Sequence, residues 1–270
     1  MEKFTFRRFV SPFVILLGPL GVYLSGCGED NALAPIDPPS MSAELRAAVA
    51  DVIVTPQQAK LFAQDGARND AFGVSVAISG DTAIAAASNG DGTVIDQGSV
   101  YVFTRSGAMW TEQAELLAAD GASRTKFGKS IAISGDTVLI GAGSAQIGPN
   151  YGQGAVYVFT RNGTTWTQQA KLVASNGATS AHFGSSVAIS GDTAVIGAPT
   201  AQVNGAAYVF TRNGTSWTEE AILTNGDASF FGSSIALSED TIAIGAPHTD
   251  VGSNYRQGVV YVFTKSGSMW

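Results

Sequence analysis

Four near-copies of one segment constrain this chain more than any other feature. The clearest copy is Phe183-Gly184-Ser185-Ser186-Val187-Ala188-Ile189-Ser190-Gly191-Asp192-Thr193-Ala194-Val195-Ile196-Gly197-Ala198-Pro199. The others begin at Phe72-Gly73, Phe127-Gly128 and Phe231-Gly232, so successive starts lie 55, 56 and 48 residues apart. Self-similarity at this period signals a repeat architecture. One unit is too small to bury its own apolar faces and must be covered by its neighbours.

Each unit divides into four strand-like runs. In the third, Ser186 to Ser190 alternates, with Val187 and Ile189 on one side and Ser186 and Ala188 on the other. Gly191-Asp192 suits a two-residue hairpin turn, and Thr193 to Ile196 returns as a second strand. Ala206 to Thr211 reads as the third strand, and Asn213-Gly214 marks another hairpin. The fourth starts near Trp217 and reaches Leu223. In its counterpart, Trp166 to Val173, alternation places Trp166, Gln168, Ala170 and Leu172 on one face. Only 14% of residues are charged and 32 are glycine, which suits short strands and tight turns. The pattern predicts an all-β chain, a β-propeller of four-stranded antiparallel blades. A parallel β-helix is the rival, but its repeats are shorter and lack paired hairpins.

The Phe-Gly pair followed by Gly-Ala-Pro resembles the FG-GAP repeat of integrin α-chain heads and many bacterial surface proteins. Phe183-Gly184 with Gly197-Ala198-Pro199, and Phe231-Gly232 with Gly245-Ala246-Pro247, match it best. The second repeat has Gly141-Ala142-Gly143 instead, and the first Ala85-Ala86-Ala87. The resemblance covers about residues 56–270. It implies blades set around a channel. Each Phe is expected to plug the space between blades, and its glycine to let backbones approach closely. Trp110, Trp166, Trp217 and Trp270 recur once per repeat and read as packing elements.

Thr55-Pro56-Gln57-Gln58-Ala59-Lys60-Leu61 aligns with the segment from Trp166 to Leu172. Residues near 52–62 are therefore expected to supply the outer strand that the last repeat lacks. That pairing would close four blades into a ring and remove an exposed strand edge. The alternative is part of a larger propeller, since the family commonly builds seven blades.

Ahead of the repeats, Lys3, Arg7 and Arg8 precede an apolar run from Phe9 to Leu24, the pattern of a secretory signal. Pro12, Gly18 and Pro19 interrupt that run, which argues against a permanent membrane helix. Leu24-Ser25-Gly26-Cys27 resembles the bacterial lipobox. The resemblance implies cleavage after Gly26 and lipidation of Cys27, the only cysteine. Gly28, not Asp, follows it, which implies an outer-membrane or cell-surface address. The expected organisation is a lipoprotein signal over 1–26, lipidated Cys27 and a flexible tether over 27–51, and the propeller over 52–270. Ser42 to Ala50 could form a short helix. A net charge of −7 argues against a nucleic-acid partner, which needs a positive footprint.

Integrin-type repeats often carry a calcium loop between their first two strands. Here that connection is only Gly80-Asp81, Gly135-Asp136, Gly191-Asp192 or Glu239-Asp240, too short to wrap an ion with 6–8 oxygen ligands. These aspartates read as turn residues. The residual calcium candidate is the loop holding Asn89, Asp91 and Asp96, with a solvated loop as the alternative. No other cofactor is expected. Asn162 to Trp166 resembles the Asp-box turn of sialidase propellers, but with Asn for Asp and one residue short. No acid–base pair of carboxylates of the kind glycoside cleavage needs stands out. His182 and His248 are the only histidines; His182 is read as an exposed variable site and His248 as part of a variable loop.

The connections between second and third strands vary most: 88–97, 144–153, 200–204 and 248–257. Such loops on a repeated frame form the natural contact surface. Tyr151, Asp250, Tyr255 and Arg256 are the candidate ligand contacts, the tyrosines and arginine being types enriched in binding hot spots. The expected function is a lipid-anchored, non-enzymatic envelope module that binds a protein or glycan. The alternative is an envelope carbohydrate-active enzyme with its site at the channel mouth.

Overall fold

A computed structural model describes residues 14–18, 21–25, 59–92, 94–267 and 269–270, in two units, Met1–Gln58 and Ala59–Trp270. In the first unit, β1 (Val14–Gly18) pairs antiparallel with β2 (Gly21–Ser25), Val14 opposite Ser25. The apolar run thus contains a short strand pair. Among the described residues no helix is long and apolar enough to cross a membrane. Cys27, the tether and the helix expected at 42–50 lie outside the described residues.

The second unit is built from sequential antiparallel sheets. Blade 1 comprises β3 (Phe72–Ser79), β4 (Thr82–Ala87), β5 (Ser99–Ser106) and β6 (Met109–Leu116). Blade 2 comprises β7 (Ser130–Ser134), β8 (Thr137–Ala142), β9 (Ala155–Asn162) and β10 (Thr165–Leu172). Blade 3 comprises β11 (Ser186–Ser190), β12 (Thr193–Ala198), β13 (Ala206–Asn213) and β14 (Ser216–Leu223). Blade 4 has β15 (Ser234–Ser238), β16 (Thr241–Ala246) and β17 (Val259–Thr264), and no fourth strand among the described residues. The expectation of four strands per blade therefore holds for three blades.

The hairpins form where the turn chemistry sits. Gly191 adopts φ +55° between β11 and β12, the left-handed region a primed turn requires. One face assignment fails. In β10 the register shifts between Gln168 and Ala170, leaving Gln169 as an extra residue. Such a bulge reverses the faces of the residues beyond it. Trp166 consequently packs with blade 1, whereas Ala170 and Leu172 pack with blade 3. The same bulge recurs in the β5–β6 and β13–β14 pairs.

Between blades 2 and 3, Leu139, Val156 and Val158 meet Phe183, Val187, Ile196, Tyr208 and Phe210. Phe183 is fully buried and stacks edge-on against Tyr208 at 5.2 Å and Phe210 at 6.0 Å. Phe127 and Phe231 are buried in the same way, so each acts as the expected plug. The glycines are required in pairs. A Cβ on Gly141 would collide with the Gly184 carbonyl, and one on Gly197 with that of Gly232. In blade 1, Ala86 lies opposite Val100 as Gly141 lies opposite Val156. The true counterpart of Gly141-Ala142-Gly143 is therefore Ala86-Ala87-Ser88, one residue later than the sequence alignment put it.

The first strands pack successively, β3 on β7, β7 on β11 and β11 on β15. β15 does not pack back onto β3, so the four blades form an open arc. Among the described residues, β17 has only β16 as a named strand neighbour. Leu61 and Ala63 cover blade 1, against Ala85, Tyr101, Phe103 and Trp110. Among the described residues no ring closure is seen, and residues 52–58 of the segment expected to close it lie outside them.

Candidate functional site

Antiparallel order gives the arc two different ends. One carries the Gly-Asp hairpins, the other the long connections between second and third strands.

At the hairpin end the same clamp recurs. Arg161 pairs with Asp136 at 2.6 Å, and Arg212 with Asp192 and Arg105 with Asp81, each at 2.7 Å. Each guanidinium also lies over its own blade's tryptophan, 5.2 Å from Trp166 and 5.4 Å from Trp217. Arg161 donates onward to Thr82 and Arg212 to Thr137, tying each blade to the one before. The tryptophans donate across the same joints, Trp166 to Gln113 at 3.1 Å and Trp217 to Gln169 at 3.0 Å. The aspartates are turn residues, as expected, but they also anchor arginines that sequence reasoning passed over. Their signal was a basic residue recurring 24, 25 and 20 positions after the aspartate.

At the loop end the candidate residues divide. Asp250, Tyr255 and Arg256 come together on the blade 4 loop. The Arg256 guanidinium lies 5.1 Å from the Tyr255 ring centroid, and Asp250 accepts the Arg256 backbone N–H at 2.6 Å. All three are exposed. Arg256 is held at φ +50°, a left-handed conformation uncommon for an L side chain with a Cβ. Tyr151, also exposed, is the equivalent of Tyr255 on the blade 2 loop, where Gly152 at φ +63° takes the place of Arg256. The two loops share a miniature hairpin, Ile147 bridged to Asn150 and Val251 to Asn254. Asn150 donates to Gln153 at 2.8 Å and Asn254 to Gln257 at 2.7 Å. Sequence reading singled out the tyrosines and missed this asparagine–glutamine brace, whose signal was the shared Asn-Tyr-X-Gln spacing.

The calcium candidate loop is already engaged. Asn89 Oδ1 accepts from the Lys126 ammonium at 2.6 Å, and Asp91 accepts the Asp96 backbone N–H at 3.2 Å. One of the three candidate oxygens therefore faces an ammonium group. Among the described residues, no cluster of three or more His, Cys, Asp or Glu could hold a metal.

The histidines are not freely exposed. His182 is half-buried, its Nδ1 3.0 Å from the Gly143 carbonyl oxygen. His248 stacks edge-on with Phe230 at 4.5 Å, and its Nδ1 is buried without a partner among the described residues. His182, Lys126 and Phe230 all precede the Phe-Gly pair and all take positive φ. No glycine marks that bend in the sequence.

Four perturbed titrating groups sit in the joints. Burial, with the Asp65 carboxylate beside it, raises the Tyr101 phenol well above its ordinary range. Burial and the neighbouring Asp120 carboxylate raise Tyr157 likewise. Tyr208, which donates to Asn176 at 2.8 Å, is pushed up to about 12 by burial and then by Glu219. Burial acts to raise Asp120, but hydrogen bonds from Lys171 and Tyr157 outweigh it and hold the carboxyl below its usual value.

Comparison with known proteins agrees with this frame. The family model described as "FG-GAP repeat" matches residues 55–103, 110–159, 166–210 and 217–263. No curated protein matches the sequence. Among solved structures, TolB from Acinetobacter baumannii is similar at 12% identity with a TM-score of 0.40. The match covers 70% of this chain and 43% of that one, so this chain spans less than half of that protein. The four matched repeats take in most of the sequence, and the chain belongs to the FG-GAP repeat family.

Proposed function

We propose that this protein is a lipid-anchored binding module of the bacterial cell envelope, recognising a protein or glycan through the loop end of its blades. The observation that carries the reading is the Tyr255–Arg256 pair. It is exposed, stacked, and held by Asp250 in a backbone conformation its matching loop gives to glycine. A planar aromatic and a guanidinium presented together can stack on a sugar ring or pair with a carboxylate. A left-handed residue with a Cβ on an exposed loop supports a contact role for it. The lipobox-like Leu24-Ser25-Gly26-Cys27 and the proline-bearing stretch after it support an anchored module on a tether.

Two measurements test this. Full-length protein displayed on membranes should retain an envelope protein or polysaccharide in a pull-down, and Tyr255→Ala/Arg256→Ala should lose it with thermal stability unchanged. Retention by the double variant overturns the site. Metabolic labelling with a fatty-acid analogue should mark the wild-type chain and not Cys27→Ser; an unlabelled wild type overturns the anchor.

A further inference from the structure

At the loop end, one joint is built more sparely than the others. Residues 88–98, 143–154 and 247–258 form long connections between the second and third strands of blades 1, 2 and 4, whereas blade 3 has only residues 199–205. The connection that leaves blade 3 is short as well, 224–233, against 117–129 and 173–185 after blades 1 and 2. The side chain that fills the joint also changes. Gln97 and Gln153 are buried, and their backbone carbonyls accept the Phe127 and Phe183 N–H groups. Their carboxamides press so closely on the next connection that a Cβ on Gly121 or Gly177 would collide with Nε2. Between blades 3 and 4 the Phe231 N–H donates instead to Asn204, whose side chain is one methylene shorter. In the connection beside it, a Cβ on Gly226 would meet nothing within 4 Å.

At this joint lies a cavity of about 150 Å³, lined by Gln202, Val203, Asn204, Thr224, Asn225 and Gly226. Its lining is uncharged and rich in carboxamides. Asn204 Nδ2 donates to the Gly226 carbonyl at 2.7 Å, and Asn225 Oδ1 accepts the Asp227 N–H at 3.0 Å. Among the described residues, Asn204 Oδ1, Asn225 Nδ2, the Gln202 carboxamide and the Thr224 hydroxyl have no partner. Gln202, like Arg256, is held in the left-handed region, at φ +53°. Hydrogen bonds tie this short loop to the tyrosine loops on both sides. The Thr200 hydroxyl donates to the Ser180 carbonyl at 2.6 Å, and the Ser180 N–H to the Tyr151 carbonyl at 2.8 Å. On the other side, the Phe231 N–H donates to the Asn204 carbonyl at 2.9 Å. The Ser229 N–H donates to the hydroxyl of Thr249, the residue before Asp250, at 2.9 Å. The cavity thus sits between the loop of Tyr151 and the loop of Asp250, Tyr255 and Arg256.

We propose that this cavity seats one sugar ring, so that the ligand of the loop end is a glycan. The inference rests on the binding reading above and adds to it a ligand class and a contact set separate from Tyr255 and Arg256. A sugar ring carries several hydroxyls, each both donor and acceptor. Carboxamides and a threonine hydroxyl answer both roles without charge, which is what Gln202, Asn204, Asn225 and Thr224 offer. Val203, 95% exposed, supplies an apolar edge for the C–H face of the ring. Tyr151 and Tyr255, exposed on the flanking loops, supply aromatic faces for sugars on either side of it. The space takes a single ring and not a drug-sized molecule, whose pockets run to about 300–1,000 Å³. A protein partner fits this lining poorly. Its anchors, Trp, Tyr or Arg, seek well-packed, fully desolvated pockets, and would strip water from these amides without replacing its hydrogen bonds.

An array of immobilised bacterial mono- to tetrasaccharides, covering hexoses, N-acetylhexosamines and uronic acids, tests the seat with the full-length chain in detergent. Wild type should bind one of these classes, and the free sugar of that class should compete. Gly226→Phe places a ring where there is open space and should weaken binding by more than about tenfold, with circular dichroism and melting unchanged. Gln202→Ala, a change at an exposed side chain, should weaken it about fivefold, the share of one neutral hydrogen bond. Binding to no sugar on the array overturns the seat, and so does equal binding by wild type and Gly226→Phe. The pull-down described above separates this failure from failure of the reading beneath it. A captured protein that Tyr255→Ala/Arg256→Ala loses and Gly226→Phe keeps leaves the loop end as a binding face and overturns the sugar seat. A blank array together with an empty pull-down overturns both.

Discussion

The joint between blades 2 and 3 and the outward face of blade 4 are made of nearly the same residues, yet one is sealed and the other wet. Val158 and Val262 hold the same place in the same strand of their blades, and only the presence of a following blade distinguishes them. Burial in a repeat protein is thus a property of the neighbour, not of the repeat. A valine that stabilises by removing apolar surface from water inside the array contributes almost nothing at its edge until something docks there.

The sharpest break of that comparison is a charge in each place. Val158→Asp would bury an unpaired carboxylate and should cost more than about 4 kcal/mol, abolishing the cooperative melt. Val262→Asp should fold normally, as seen by circular dichroism. Equal damage from both would mean that blade 4 is covered within a single chain. Next in size, Phe183→Ala should cost about 3–5 kcal/mol in urea unfolding, because a fully buried ring leaves a cavity against Tyr208 and Phe210.

A third test separates two internal joints by pH. Blades 1 and 2 meet through Asp120, Tyr157 and Lys171; blades 2 and 3 meet through uncharged Asn176 and Tyr208. Because the folded state holds the Asp120 pKa below its unfolded value, the unfolded chain binds more protons as pH falls through that window. The joint's contribution is present above the unfolded pKa and disappears on acidification. Asp120→Asn should flatten this part of the acid dependence of the urea midpoint, and Asn176→Ala should not. The smallest effect belongs to the hairpin clamp. The Asp192 side chain is 69% exposed, so Asp192→Ala should cost less than about 1 kcal/mol and less still in high salt.

Much of this was legible in the chain. Alternation at Ser186 to Ser190 placed Val187 and Ile189 on the face they occupy, because a strand's period of two is local geometry. It misplaced Ala170 and Leu172, because a bulge at Gln169 is set by the partner strand and leaves no mark in composition. At the candidate site, Tyr255 and Arg256 were found as hot-spot types on a variable loop. Their stacking, and the Asp250 contact that fixes it, depend on a left-handed residue that sequence has no glycine to announce.

By itself, the sequence determined the number of repeats, the strands, their hairpins and the residues that plug each joint, since all are written in patterns shorter than one repeat. Tertiary structure alone decided that Leu61 and Ala63 cover blade 1 and which otherwise identical valines meet water. Those outcomes depend on where each sheet sits in the arc, and near-identical repeats carry no label of their position.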